Sequence, residues 1–208
     1  MKLLACSLVI FSHLVVGAAC GGNSARVSPE LYARLSHDDQ AAIYERENDV
    51  TIAWSRRDDA VLAVRNTRLR LDELSEQWRH AKERFERTNQ SARVDGAAKL
   101  RDTHKAFLEE QLRIAEAHVS YREKEIVAAR ARLDRQRARQ LVKSGMASEK
   151  TLDDFEKRVK DSEQEARDSE KRELDLRSES QKKFLEWKAA ENEYARASGD
   201  YDSLVWVD

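Results

Sequence analysis

With 37% of its 208 residues charged, a single proline and six glycines, the chain favours long helices over a globule with a thick apolar centre. Its 38 basic and 39 acidic residues interleave and leave a formal charge of −1; no basic face stands out, so a nucleic-acid partner is not suggested. Regular apolar seams speak against the disorder that so polar a composition otherwise predicts.

Residues 1–19 read as a secretory signal. Lys2 is a short positive start, Leu3 to Val16 is an apolar run broken by Ser7, Ser12 and His13, and the small residues Gly17, Ala18 and Ala19 lead into Cys20. The run is too short to be a transmembrane span. Gly17-x-Ala19 suits ordinary signal peptidase, which would release a plain secreted protein. The segment also resembles a bacterial lipoprotein signal, in which a cysteine follows the cleavage site. Ala18 and Ala19 fit that family's lipobox, and Gly17 stands where it most often has Leu. The resemblance implies a diacylglycerol thioether on Cys20, usually with acylation of the freed amine, as the only attached group. Two or three acyl chains, at about 0.8 kcal/mol per buried methylene, hold a protein on a bilayer durably. Gly21 occupies the position where Asp retains such lipoproteins at the inner membrane, so the resemblance implies the outer membrane, on its periplasmic face. Cys6 reads as part of the signal. Cys20 is then the only cysteine left after cleavage, with no disulfide and no thiolate metal site.

Residues 20–35 are expected to form a tether, Gly21 to Ser24, and a short helix opened by Ser28-Pro29-Glu30. Ser36 reads as a second N-cap, with Asp39 at the third helical position. It opens a first long helix at about 38–88. There Ile43, Val50, Arg57, Val64, Leu71, Trp78 and Phe85 fall on every seventh residue, and Ala53, Ala60, Thr67, Leu74 and Ala81 fill the half-step. This is an a/d coiled-coil ladder. Arg57 in an a position points either to register selection or to a side chain that snorkels out.

Asn89 to Gly96 interrupts the frame, and Asp95-Gly96 is a turn signal. A turn there gives a second helix at about 97–142, with a seam of Leu108, Leu112, Ala115, Val119, Ile126, Ala129 and Leu133. One bent helix is the alternative. Gly145 suits a left-handed C-cap and Ser148 the next N-cap. A third helix follows at 149–198. Its heptads run from Leu152 to Ser169, slip near Leu176 and resume at Phe184, Trp187, Glu191 and Tyr194. Residues 199–208 form an apolar tail, read as docking on the bundle or as a partner-binding peptide. The fold class is all-α, a long antiparallel coiled-coil hairpin or three-helix rod within 36–198.

Motifs for chemistry are scarce. There is no HExxH, P-loop, GxSxG or phosphate-binding glycine loop. His37, His80, His104 and His118 lie among charged residues with no metal-binding spacing, and read as solvated surface. Glu83 with Arg87 and Glu109 with Arg113 read as exposed helix-face pairs. Trp54, Trp78, Phe85, Phe155, Phe184 and Trp187 read as core. Neither an enzyme nor a metal protein is expected.

One stretch is more pointed. Arg137, Leu141 and Ser148, followed by Glu149-Lys-Thr-Leu152-Asp153, resemble the hairpin tip of periplasmic adaptor proteins, the membrane-fusion subunits of efflux pumps and type I secretion systems. The resemblance covers about thirty residues, and implies that those three side chains would contact an outer-membrane duct. No strand pattern flanks the hairpin as the lipoyl and β-barrel domains of that family require. Leu-x-x-x-Gly-x-x-Ser is also a generic way to end one helix and cap the next. The expected function is a lipid-anchored periplasmic coiled-coil spacer or scaffold of the cell envelope. The alternative is an accessory subunit of an efflux or secretion assembly, and a third reading is a holdase chaperone. Expected partners are the membrane, through the anchor, and envelope proteins; a homo-oligomer is left open.

Overall fold

A computed structural model describes residues 29–88 and 91–199. The expected signal, Cys20, the tether from Gly21 to Ser24 and the apolar tail beyond Gly199 lie outside the described residues. The fold is all-α. A short α1 (Pro29–Tyr32) precedes three long helices, α2 (His37–Arg87), α3 (Ser91–Lys143) and α4 (Glu149–Ser198). At 1.5 Å per residue each long helix spans about 75–80 Å. The three run antiparallel in sequence order. The central α3 packs along α2 on one side and α4 on the other.

The α2 ladder is observed as read. Ile43, Ala53, Ala60, Leu74, Ala81 and Phe85 are buried, and Val50, Val64, Leu71 and Trp78 are half-buried between them. Arg57 reaches the edge of the seam, bonding Asp58 at 3.0 Å and approaching Glu123 of α3 at 4.0 Å. Trp54 is the exception among the aromatics read as core. It is 41% exposed, with the Arg130 guanidinium 5.3 Å over its ring.

The start of α3 corrects the reading of a turn through Gly96. Asp95 and Gly96 lie inside the helix, which begins at Ser91 rather than Ala97. The glycine serves close packing instead: a Cβ there would sit 3.2 Å from the Tyr194 ring of α4. At this end all three helices converge on Ala81, Phe85, Leu100, Trp187, Ala190 and Tyr194.

The slip in α4 is also corrected. Val159, Ala166, Glu173, Ser180, Trp187 and Tyr194 are all buried on every seventh residue, so one frame runs the helix length. The frame is hard to see because Glu173 and Ser180 are polar. Gly199 ends α4 in the left-handed conformation at φ 67°, its N–H donating to Ala195 O.

Candidate functional site

The α3–α4 turn is built from cap chemistry. Gly145 takes φ 71°, open only to residues without a Cβ penalty. This lets the Met146 and Ala147 N–H groups donate to Leu141 O at 2.9 and 3.2 Å and close the helix. Ser148 has the extended backbone of an N-cap, but its hydroxyl makes no cap bond to the backbone. It pairs with the Thr151 hydroxyl at 3.2 Å instead. Met146 is 65% exposed at the turn.

Arg137, Leu141 and Ser148 have different surroundings. Arg137 donates to Glu47 of α2 at 2.9 Å and is half-buried. Leu141 is half-buried against Ala138, Phe155 and Leu152. Only Ser148 is exposed. They therefore lie along one end of the rod without forming a single exposed patch.

The start of α2 stands beside this turn. Ser36 Oγ accepts from Asp39 N at 3.2 Å, as an N-cap should. The Asp39 carboxylate accepts from Lys143 Nζ at 2.6 Å and from Gln140 Nε2 at 3.1 Å. The Lys143 ammonium, then the Ser36 hydroxyl, hold its carboxyl below the usual carboxylate range against the opposing effect of burial. One acidic side chain thus serves the positive end of α2 and clamps the closing turn of α3. Tyr32 of α1 lies edge-on to Tyr44, ring centroids 6.0 Å apart, so the chain enters the rod at this same end.

No protein-family model, curated protein or solved structure matches the chain.

The histidine reading needs correction. His37 and His80 are exposed as expected, but His104 is 8% exposed and stacks on Trp187 with centroids 4.2 Å apart. His118 belongs to a polar layer at mid-rod. Its Nδ1 donates to buried Glu173 at 2.8 Å, while its Nε2 accepts from Arg122 Nε at 3.3 Å. Arg177 donates to the other Glu173 oxygen. Burial pushes the Glu173 carboxyl up, but the bonds from His118 and Arg177 outweigh it and leave it below the ordinary value. Arg122 also binds Glu125, which accepts from the Tyr121 hydroxyl at 3.1 Å. Burial and the Glu125 charge push the Tyr121 phenol up to about 12. The seven-residue step from Ala166 to Glu173 to Ser180 was the signal for this layer.

A groove of about 420 Å³ lies over α3 between α2 and α4, near Ala53, Ala128 and Ala166. Charged side chains rim it, and Arg132 and Glu163 bond across it at 2.8 Å. Among the described residues no group of three or more His, Cys, Asp or Glu could hold a metal. No described helix is long and apolar enough to cross a membrane. Of the exposed-face pairs, Arg87 meets Glu83 at 3.4 Å, whereas Arg113 meets Glu110 at 3.2 Å rather than Glu109.

Proposed function

We propose that this chain is a lipid-anchored periplasmic spacer of the outer membrane, holding a protein partner at a set distance from the bilayer. The observation that carries the reading is the rod itself. Three antiparallel helices of 51, 53 and 50 residues bury seams along their length, not a ligand chamber. The short α1 and the start of α2 share one end with the α3–α4 turn, so an anchor at Cys20 puts that turn nearest the membrane. The α2–α3 reversal and the end of α4 then form the far end. The signal-like run before Cys20 supports the anchor.

The accessory-subunit reading has narrower support, from the exposed Ser148 and Met146 at the turn. Arg137 is already committed to Glu47, and the turn shares the anchor's end of the rod. The holdase reading would need a basic, apolar-lined concavity, whereas the groove over α3 is rimmed by both signs of charge.

Two measurements test the proposal. Labelling with an alkyne fatty acid should mark the chain and its outer-membrane fraction, and Cys20→Ser should abolish both. An unlabelled chain in the soluble fraction would defeat the anchor. In-cell photo-crosslinking from exposed Arg87 at the far end should capture an envelope protein. Capture of an outer-membrane duct from position 144 instead would favour the accessory reading.

A further inference from the structure

Four of the large apolar side chains that α2 exposes share one strip of its surface, only Trp54 being touched by a neighbouring helix, through the Arg130 guanidinium of α3 over its ring. Trp54 is 41% exposed, Val61 37%, Leu62 54% and Leu69 49%. Single exposed apolar residues are ordinary, but these four share a strip with Asp58 and Arg65. At 3.6 residues per turn the six positions fall within roughly 100° of helix circumference and about 22 Å of its length. The strip lies away from the seam that packs on α3, whose members are Ala53, Ala60 and Leu74.

The order of residues along the strip has a second property. About a point midway between Val61 and Leu62, the strip is self-complementary: apolar residues mirror apolar ones and an acid mirrors a base. Trp54 stands as far from that point as Leu69, Asp58 as far as Arg65, and Val61 as far as Leu62. A two-fold axis there would lay a second α2 antiparallel on the first. Each apolar side chain would meet an apolar partner, and each Asp58 would meet the Arg65 of the other copy. Isologous dimers require this self-complementarity. A parallel arrangement in register would instead set Asp58 against Asp58 and Arg65 against Arg65, which is repulsive. Both Asp58 and Arg65 are exposed, and Asp58 already accepts from Arg57 at 3.0 Å, leaving its other oxygen open to a second donor.

We propose that this strip is the contact face of an antiparallel homodimer, its occupant being a second copy of the chain. A contact confined to one helix face of this length falls below the roughly 1,200 Å² of a standard stable interface, so the pair is a weak, reversible one. The pairing needs no lipid, and it neither requires nor follows from the spacer reading.

The experiment is sedimentation equilibrium of the purified full chain in density-matched mild detergent, over a wide concentration range. The wild-type chain should show a monomer–dimer equilibrium. Asp58→Arg and Arg65→Asp should each weaken it about tenfold or more, by setting like charges opposite one another. The chain carrying both changes should recover to within about threefold of wild type, because the pair is restored with its signs exchanged. Leu62→Glu should abolish dimerisation with helicity unchanged, since the position is exposed. A chain that stays monomeric throughout overturns the proposal. So does a dimer indifferent to the single reversals, a double variant that does not recover, or a strip that captures a different envelope protein in place of a second copy.

Discussion

Glu173 offers the sharpest test of how the rod holds its register. Glutamine at this position keeps the shape and removes the charge. One carboxylate oxygen becomes an amide that faces a donor, so either His118 or Arg177 loses its acceptor. A hydrogen bond to a charged group contributes about 1.5–3 kcal/mol when its partners are dry. His118 is 28% exposed and keeps most of that, whereas Arg177 is 58% exposed and its share is screened to a few tenths. The amide keeps its oxygen toward His118 and halves that bond's strength, so Glu173→Gln should cost about 1 kcal/mol near neutral pH. The sign of the pH effect follows from the lowered folded value of Glu173. A carboxyl held below its unfolded value stabilises the fold above that value, and loses the contribution as pH falls through the folded one. The gap between wild type and variant should be constant near neutral pH and close below about pH 4. Urea denaturation followed by far-ultraviolet circular dichroism measures both curves. Equal stabilities near neutral pH, or a gap that persists in acid, would refute the assignment of this layer to the Glu173 charge.

Other substitutions probe the glycines and the clamp. Gly96→Val should cost about 1–3 kcal/mol by thermal denaturation, from overpacking against Tyr194, and the same change should cost clearly less when made in a Tyr194→Ala chain, although Tyr194→Ala is itself destabilising because the ring is buried. Gly145→Ala meets nothing within 4 Å, so its cost should be the left-handed backbone alone, about 1–2 kcal/mol in the same assay. Asp39→Asn should leave the rod folded but let the end of α3 fray, seen as faster amide exchange at Ser144 and Gly145. Because Asp39 titrates below the usual range, wild type should reach that frayed rate only in acid, as pH falls through its folded value.

The fold class was legible because α2 has one buried seam and uses apolar residues for it, so period and burial coincide from Ile43 to Phe85. The central helix was harder. Its predicted seam from Leu108 to Leu133 is buried or half-buried throughout, but it is only part of what α3 buries. Gln111, His118, Lys124, Arg132 and Arg139 reach α4, while Glu116, Arg137, Gln140 and Lys143 reach α2. A helix used on two sides blurs any single period, which is why His104 passed for surface. In α4 the frame was hidden by Glu173 and Ser180, polar residues satisfied by partners distant in sequence. Gly96 resembled a turn because the ring that requires it lies on another helix. The turn at Gly145 was legible because its bonds are local. That Arg137 is committed to Glu47 was not, since the two are joined only by the antiparallel return of the chain.

That return also fixes how the rod would carry a load. The start of α2 and the end of α4 lie at opposite ends, with three lengths of helix folded between them. Tension along the axis would try to slide α2 past α3 and α3 past α4, rather than peel them apart. Every crossing bond, from Lys143–Asp39 at one end to Lys99–Glu193 at the other, would be strained together instead of one after another. Helices loaded in shear resist force collectively, so the rod should stay stiff under a pull between its two ends. A sideways pull on either turn would open it a few contacts at a time.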